Sequence, residues 1–309
     1  MENRNLPIQI SLPDSFFEEE VRCDFTVTTE IKELWAVELD LLARLDEVCR
    51  KHDIRYYADS GTLLGAIRHK GFIPWDDDID VEMFREDYEK LCEVAAEEFT
   101  FPYFFQSEYT DPGSLRGHAQ LRNSLTTGIL KAEKDLHRQF NQGLFIDIFV
   151  TDYIPDDLTV REQFFDKARI LLNEAQREEI KIRRYDPNES AKLQAYHKLT
   201  RFLNRRKRHQ PNEKFRLFED YIKENCSEPT AQHVKIVFNL SPKRRPFMTE
   251  WYKDIEYVPF ENTMIPVPKM YNETLENFYG KNWSVPVKAP NDHGGMIVDV
   301  RKPYKEYLK

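Results

Sequence analysis

Four carboxylates fall within five consecutive positions of this chain, at Asp76, Asp77, Asp78 and Asp80. Such a set repels itself unless positive charge sits among it. On an extended strand Asp78 and Asp80 share one face, about 7 Å apart, and two carboxylates so placed can converge on one hard cation such as Mg2+ or Mn2+. A solvated or arginine-paired acidic loop is the competing reading. The flanking Trp75, Ile79, Val81 and Met83 favour partial burial, where uncompensated charge is costly. An EF-hand fails on the spacing, because the glycine position is Val81 and the closing glutamate position is Asp87.

Upstream, Ser60-Gly61 lies where a strand gives way to a helix. A turn of that kind offers backbone N–H groups and a hydroxyl to a phosphate. Such dipeptides are common, so the motif gains meaning only beside the acidic strand. The third feature is Asp147, alone inside the apolar run Phe145-Ile146-Asp147-Ile148-Phe149. A buried carboxylate requires a partner. Arg116 and Arg122 are the structural candidates, and completing a metal site or accepting a proton from an attacking hydroxyl is the functional alternative. Arg68-His69-Lys70 offers charge to phosphates or simply complements a helix end. His293-Gly294-Gly295 reads equally as a binding loop or a turn. The basic run Arg205-Arg206-Lys207-Arg208-His209 reads as a solvated helix face.

Elements are required to hold these groups. Apolar residues at helical spacing from Ile31 to Cys49 predict a helix over 28–52, capped by Thr28 or Thr29. Strands are expected at 54–58 and 79–83, the second half-buried, with a short helix over 62–68 between them. A helix follows at 85–98, then strands near 101–106 and within 115–130. A central strand is expected at 144–150, apolar throughout except for Asp147. Residues 1–24 read as an N-terminal arm and 25–156 as the catalytic core. Residues 157–232 read as a helical insertion or subdomain, broken near Tyr185-Asp186-Pro187-Asn188. Residues 233–309 read as a strand at 234–240 and a proline-dense extended tail, with one helix near 269–279, completing the core.

The 309 residues carry 45 Lys+Arg against 54 Asp+Glu, a net charge of −9, which disfavours nonspecific nucleic-acid binding. With 40% hydrophobic and 13% aromatic residues the chain can bury a real core, which excludes wholesale disorder. Only 10 glycines argue against a glycine-rich dinucleotide fold. No apolar run approaches membrane-spanning length, and the N-terminus lacks a secretory pattern. The four cysteines, at 23, 49, 92 and 226, have no metal or disulfide spacing and read as free thiols in a reducing cytoplasm.

The stretch from Ala58 to Val81 contains Asp59-Ser60-Gly61-Thr62, Gly65, Arg68-His69 and Trp75-Asp76-Asp77-Asp78-Ile79-Asp80. It resembles the signature of the LicD family of phosphocholine transferases, and is similar to that of the fukutin-related phosphotransferases. With Phe145–Val150 as a second block, the likeness covers roughly residues 28–151. The tail around His293 fits more loosely, and 157–232 matches nothing. The resemblance implies an α+β, nucleotidyltransferase-like fold: a mixed sheet flanked by helices, here with a helical insertion. It implies Asp78 and Asp80 as the metal pair holding Mg2+ or Mn2+, with Asp76 a further ligand and Asp147 the third acid. Ser60, Gly61, Gly65, Arg68, His69 and His293 fall on the substrate side. The implied reaction moves a substituted phosphate, such as phosphocholine, from a CDP-alcohol to a sugar hydroxyl of a glycan or lipid-linked precursor and releases CMP. The implied setting is the cytoplasm, with peripheral association at the inner face of a membrane and no nucleic-acid partner. Three other readings stand beside it: a nucleotidyltransferase releasing pyrophosphate from an NTP, a glycosyltransferase using its own D-x-D, and a non-catalytic member of a glycan-assembly complex. Choline, ethanolamine, ribitol, glycerol and a phosphonate headgroup all stay open for the donor.

Overall fold

The computed structural model describes residues 5–131, 134, 139–183, 188–226, 229–238, 245–288 and 295–308. The first elements are a hairpin of β1 (Glu20–Arg22) and β2 (Phe25–Val27), followed by α1 (Thr29–Lys51). Thr28 caps α1 by accepting a hydrogen bond from the Ile31 N–H, and the helix buries Leu34, Trp35, Leu41, Leu42, Leu45 and Val48. Next come β3 (Tyr57–Ala58), α2 (Ser60–His69), β4 (Asp80–Phe84), α3 (Arg85–Glu98), β5 (Tyr103–Gln106), β6 (Ala119–Asn123), β7 (Thr127–Leu130) and β8 (Leu144–Ile154). Helices α4 (Leu158–Arg183), α5 (Ala191–Leu203) and α6 (Glu213–Asn225) follow. The chain closes with β9 (His233–Lys235), β10 (Phe247–Met248), β11 (Ile255–Phe260), β12 (Thr263–Pro268), α7 (Tyr271–Tyr279) and β13 (Met296–Asp299). This is the α+β class.

Strand β8 is the axis of a seven-stranded mixed sheet of order β10-β9-β8-β4-β3, in which β6 also pairs with β8 and β5 with β6. Its pairing with β4 is parallel, with Asp80 opposite Asp147 and Phe84 opposite Thr151. Its pairings with β6 and β9 are antiparallel, with Gln120 opposite Asp147. The expected half-buried strand is therefore an interior one: Val81, Glu82, Met83 and Phe84 are all buried, because β4 lies between β3 and β8. The strand expected over 54–58 shrinks to two residues, since only Tyr57 and Ala58 find partners on β4.

The segment read as an N-terminal arm and the tail read as completing the core both pack into the body. In the N-terminal segment Leu6, Phe16 and Phe17 join the main core, and Asp40 of α1 accepts hydrogen bonds from the backbone N–H groups of Gln9 and Ile10 at 2.6 and 3.0 Å. The proline-dense tail is not simply extended. Its prolines at 259, 266 and 268 lie in the β11–β12 hairpin, a two-stranded ribbon whose open edges tolerate a residue without an N–H. Strand β13 pairs with β7. Helices α4 and α6 form a second core around Phe164, Leu172, Phe215, Phe218 and Ile222. Of the break expected at 185–188 only Asn188, in a turn, is among the described residues, and the strand expected over 234–240 is formed only as His233–Lys235, its last two residues lying outside the described ones.

Candidate active site

The site is assembled at the head of α2 and the start of β4. Strand β3 ends at Ala58, and the chain turns through Asp59 and Ser60 into α2. Ser60 takes a left-handed φ of 47°, unusual for a residue with a side chain. Three contacts fasten this turn to β4. The Asp59 N–H donates to the Asp80 carbonyl at 3.0 Å, the Asp80 N–H donates to Thr62 Oγ1 at 2.8 Å, and Ser60 Oγ donates to Asp59 Oδ2 at 2.9 Å. Gly61 is required by close approach, since a Cβ there would stand 2.6 Å from Asp76 Oδ2. The helix therefore presents its positive N-terminal end to the Asp76 carboxylate.

Carboxylate oxygens of Asp76, Asp77 and Asp78 all lie within 4.8 Å of one another. The Trp35 indole N–H donates to the Asp76 carbonyl at 3.1 Å, and its ring stacks on Phe72 at 4.5 Å, which holds the acidic loop against α1. Beneath the cluster lies Glu38 of α1, 1% exposed, whose Oε2 is buried without a hydrogen-bond partner among the described residues. Burial, then the charges of Asp78, Asp77, Asp76 and Asp80, push its carboxyl well above the usual range. Burial likewise raises Asp80, helped by Asp78, Asp147, Asp59 and Asp76. So many hard oxygen donors in a self-repelling cluster, one of them orphaned, is the donor set that fits Mg2+ or Mn2+. A divalent cation would reverse the sign of these shifts.

Asp147 is held differently. Its backbone N–H donates to the Ile79 carbonyl at 2.9 Å, and the β4–β8 register sets it beside Asp80. His118 Nε2 lies 3.0 Å from its Oδ1, and Gln120 Nε2 donates to the same oxygen at 2.6 Å. Burial opposes its charge, but His118, Gln120 and the nearby Arg116 charge outweigh burial and hold the carboxyl below its usual range. Arg122, one of the two partners expected from sequence, instead donates to the Gln120 side-chain oxygen, the Gln106 side chain and the Gly143 carbonyl. It acts on Asp147 through Gln120. Two neighbouring carboxylates thus differ: Asp147 stays ionised while Asp80 resists ionisation.

The structure brings Ser60, Gly61, Asp76, Asp78, Asp80 and Asp147 together. It does not bring Arg68 and His69 to them. Those residues end α2, about 14 Å along the axis from Ser60, where Arg68 donates to the Trp283 carbonyl at 3.0 Å and to His69. Burial and the Arg68 and Arg22 charges lower His69 to about 4. Gly65 packs against the loop before β4, with a Cβ there only 2.5 Å from the Gly71 carbonyl. His293 lies outside the described residues. Sequence reasoning missed Glu38, Asp59, His118 and Gln120. A buried glutamate within the apolar stripe of α1 was a legible signal for Glu38, whereas His118 and Gln120 depend on the pairing of β6 with β8.

The fold and this cluster define an α+β protein with a half-buried carboxylate cluster at a strand-to-helix turn. Residues 53–176 match the family described as LicD/FKTN/FKRP, nucleotidyltransferase domain. It is 35% identical over 133 residues to the lipopolysaccharide cholinephosphotransferase LicD of Haemophilus influenzae, covering 41% of this chain and 46% of that protein. It is 31% identical over 116 residues to an uncharacterized Rickettsia prowazekii protein, covering 38% and 39% of the two chains. A 34-residue stretch is 50% identical to the human ribitol 5-phosphate transferase FKRP, covering 11% of this chain and 7% of that one. The matches span less than half the length of these relatives.

Proposed function

We propose that the protein transfers a substituted phosphate, phosphocholine or a similar group, from a CDP-alcohol to a sugar hydroxyl of a surface-glycan precursor and releases CMP. The observation that carries this reading is the parallel register that sets the ionised Asp147 beside Asp80 and the Asp76–Asp78 cluster. Its support from comparison is the likeness to a lipopolysaccharide cholinephosphotransferase. The sheet around β4 and β8 serves in this reading as a nucleotidyltransferase-like core. A Mg2+ or Mn2+ ion held by Asp76, Asp78 and Asp80, with Glu38 beneath them, would neutralise diphosphate charge. The head of α2 would offer N–H groups to donor phosphate oxygens. Asp147 would orient the acceptor hydroxyl and take its proton as the new P–O bond forms. The bond between that phosphorus and the bridging oxygen breaks at the same centre, and the electron pair leaves with CMP. His118 and Gln120 keep Asp147 ionised and aimed. We assign the work to the inner face of a membrane, where lipid-linked glycan precursors are built.

A second reading, nucleotidyl transfer from an NTP, is favoured by the name of the matched domain. One assay separates the two: purified protein with Mg2+ or Mn2+, a panel of CDP-alcohols and free NTPs, and an acceptor glycan. CMP from one CDP-alcohol, abolished by EDTA, is the expected result and names the donor. Pyrophosphate from an NTP with every CDP-alcohol untouched would replace this reading with the second. Silence from the complete panel would return the chain to a non-catalytic role in glycan assembly.

A further inference from the structure

Helix α5 turns its apolar side outward. Tyr196, Leu199, Phe202 and Leu203 recur at three- and four-residue spacing and are 53, 56, 62 and 69% exposed. The opposite face meets the protein through His197, which is buried and 2.7 Å from Glu189. A helix of a globular domain ordinarily directs such a stripe into the core. Charge is equally uneven. Residues 190–212 contain seven Lys or Arg and no Asp or Glu, while the rest of the chain has 38 basic against 54 acidic residues, a net of −16. Arg205, Arg206 and Lys207 follow the apolar stripe directly, and the Arg205 guanidinium stands 5.1 Å over the Phe202 ring.

We propose that α5 and the basic turn after it form a membrane-docking surface that seats on anionic phospholipid. An amphipathic helix with a basic border lies in the plane of the interface, its apolar side chains among the upper acyl carbons and its cations at the headgroups. The occupant follows from both halves of the patch. A second copy would oppose seven basic residues to seven. A nucleic acid would satisfy the cations but leave Leu199 and Leu203 with nothing to enter. An anionic bilayer satisfies both. The surface does not rest on the reaction proposed above, because a protein that transferred nothing would dock equally well.

The test is flotation of the full-length protein with vesicles of phosphatidylcholine containing roughly one-third phosphatidylglycerol, and with phosphatidylcholine alone. Binding is expected to the anionic vesicles and to be released by high salt. Leu199→Asp with Phe202→Asp should weaken it more than tenfold. Arg205→Gln with Arg206→Gln should weaken it roughly 25-fold, about fivefold for each cation removed. Circular dichroism and melting curves should match the parent, since these side chains are exposed. Absence of binding, equal binding to both vesicles, or parental binding by the variants would overturn the proposal. A dimer in solution that Leu199→Asp dissolves, without vesicle binding, would assign the stripe to a second copy.

Discussion

At the scale of single residues, the proposed chemistry depends on carboxylates kept in unlike states within one site. Asp78 and Asp80 repel their neighbours, so replacing either by asparagine relieves that repulsion while removing a proposed cation ligand. Asp78→Asn and Asp80→Asn are each expected to lower turnover at least 1,000-fold, about 4 kcal/mol at the transition state. The metal-free protein should melt at the parental temperature or above, and Mg2+ should no longer raise it. Normal turnover by either folded variant would remove that residue from the reaction. Asp147 obeys the opposite logic. Its carboxyl lies below the usual range because His118 and Gln120 favour its charge, and a base that must be ionised loses activity as pH falls through its pKa. In His118→Ala the Asp147 pKa rises, so the acid limb of the pH–rate profile should move to higher pH. A limb that stays in place would mean that Asp147 is not the titrating base.

At the scale of elements, the site is as rigid as the braces around the α2–β4 loop. The hairpin tip residue Glu261 accepts from the Phe72 N–H at 3.1 Å and from Arg22 at 2.5 and 3.0 Å, and its own N–H donates to the Lys70 carbonyl at 2.8 Å. It thus ties the N-terminal hairpin and the tail to the loop that leads into the acidic run. Glu261→Ala removes charged acceptors from a buried position and should cost roughly 2 kcal/mol of stability, read as a lower denaturant midpoint. The loss of turnover should exceed what unfolding explains, because the acidic loop loses its anchor. A variant of parental stability would show that Arg22 and Phe72 are satisfied in other ways. The pattern of α1, α2, α3 and β8 was legible in the sequence, since helical spacing and a continuous apolar run are local signals. The β11–β12 hairpin was not, because dense prolines predict an extended tail and only an open-edged ribbon accommodates them in a strand pair.

At the scale of the whole molecule, helices α4–α6 are joined to the sheet by a buried carboxylate. Glu108, just past β5, accepts from the Gly113 N–H and from the Asn212 N–H at the head of α6, each at 2.9 Å. Burial pushes it up to about 7. A carboxyl with a raised folded pKa binds its proton more tightly in the native state. Its contribution is therefore complete below the unfolded value near 4.5 and is lost as pH climbs towards about 7. The melting temperature should fall across that window, and Glu108→Gln should flatten the fall. An unchanged slope in the variant would assign the pH dependence to other groups. No helix among the described residues is long and apolar enough to cross a membrane.

Taken alone, the sequence determined the acidic run, the Ser-Gly turn ahead of it and the lone acid in an apolar strand. Residue type and spacing along the chain carry that information without reference to distant segments. It also located most of the helices and strands, because their periods are local, while the α+β class came from the family resemblance. Only the tertiary structure decided that Asp80 and Asp147 are neighbours, since this depends on a parallel register between strands 67 positions apart in the chain. It alone replaced a direct Arg122 partner with His118 and Gln120, carried Arg68 and His69 away from the acids, and slid Glu38 beneath them. Those outcomes follow from long-range pairing and burial, where a side chain's partner is set by the packing of whole elements.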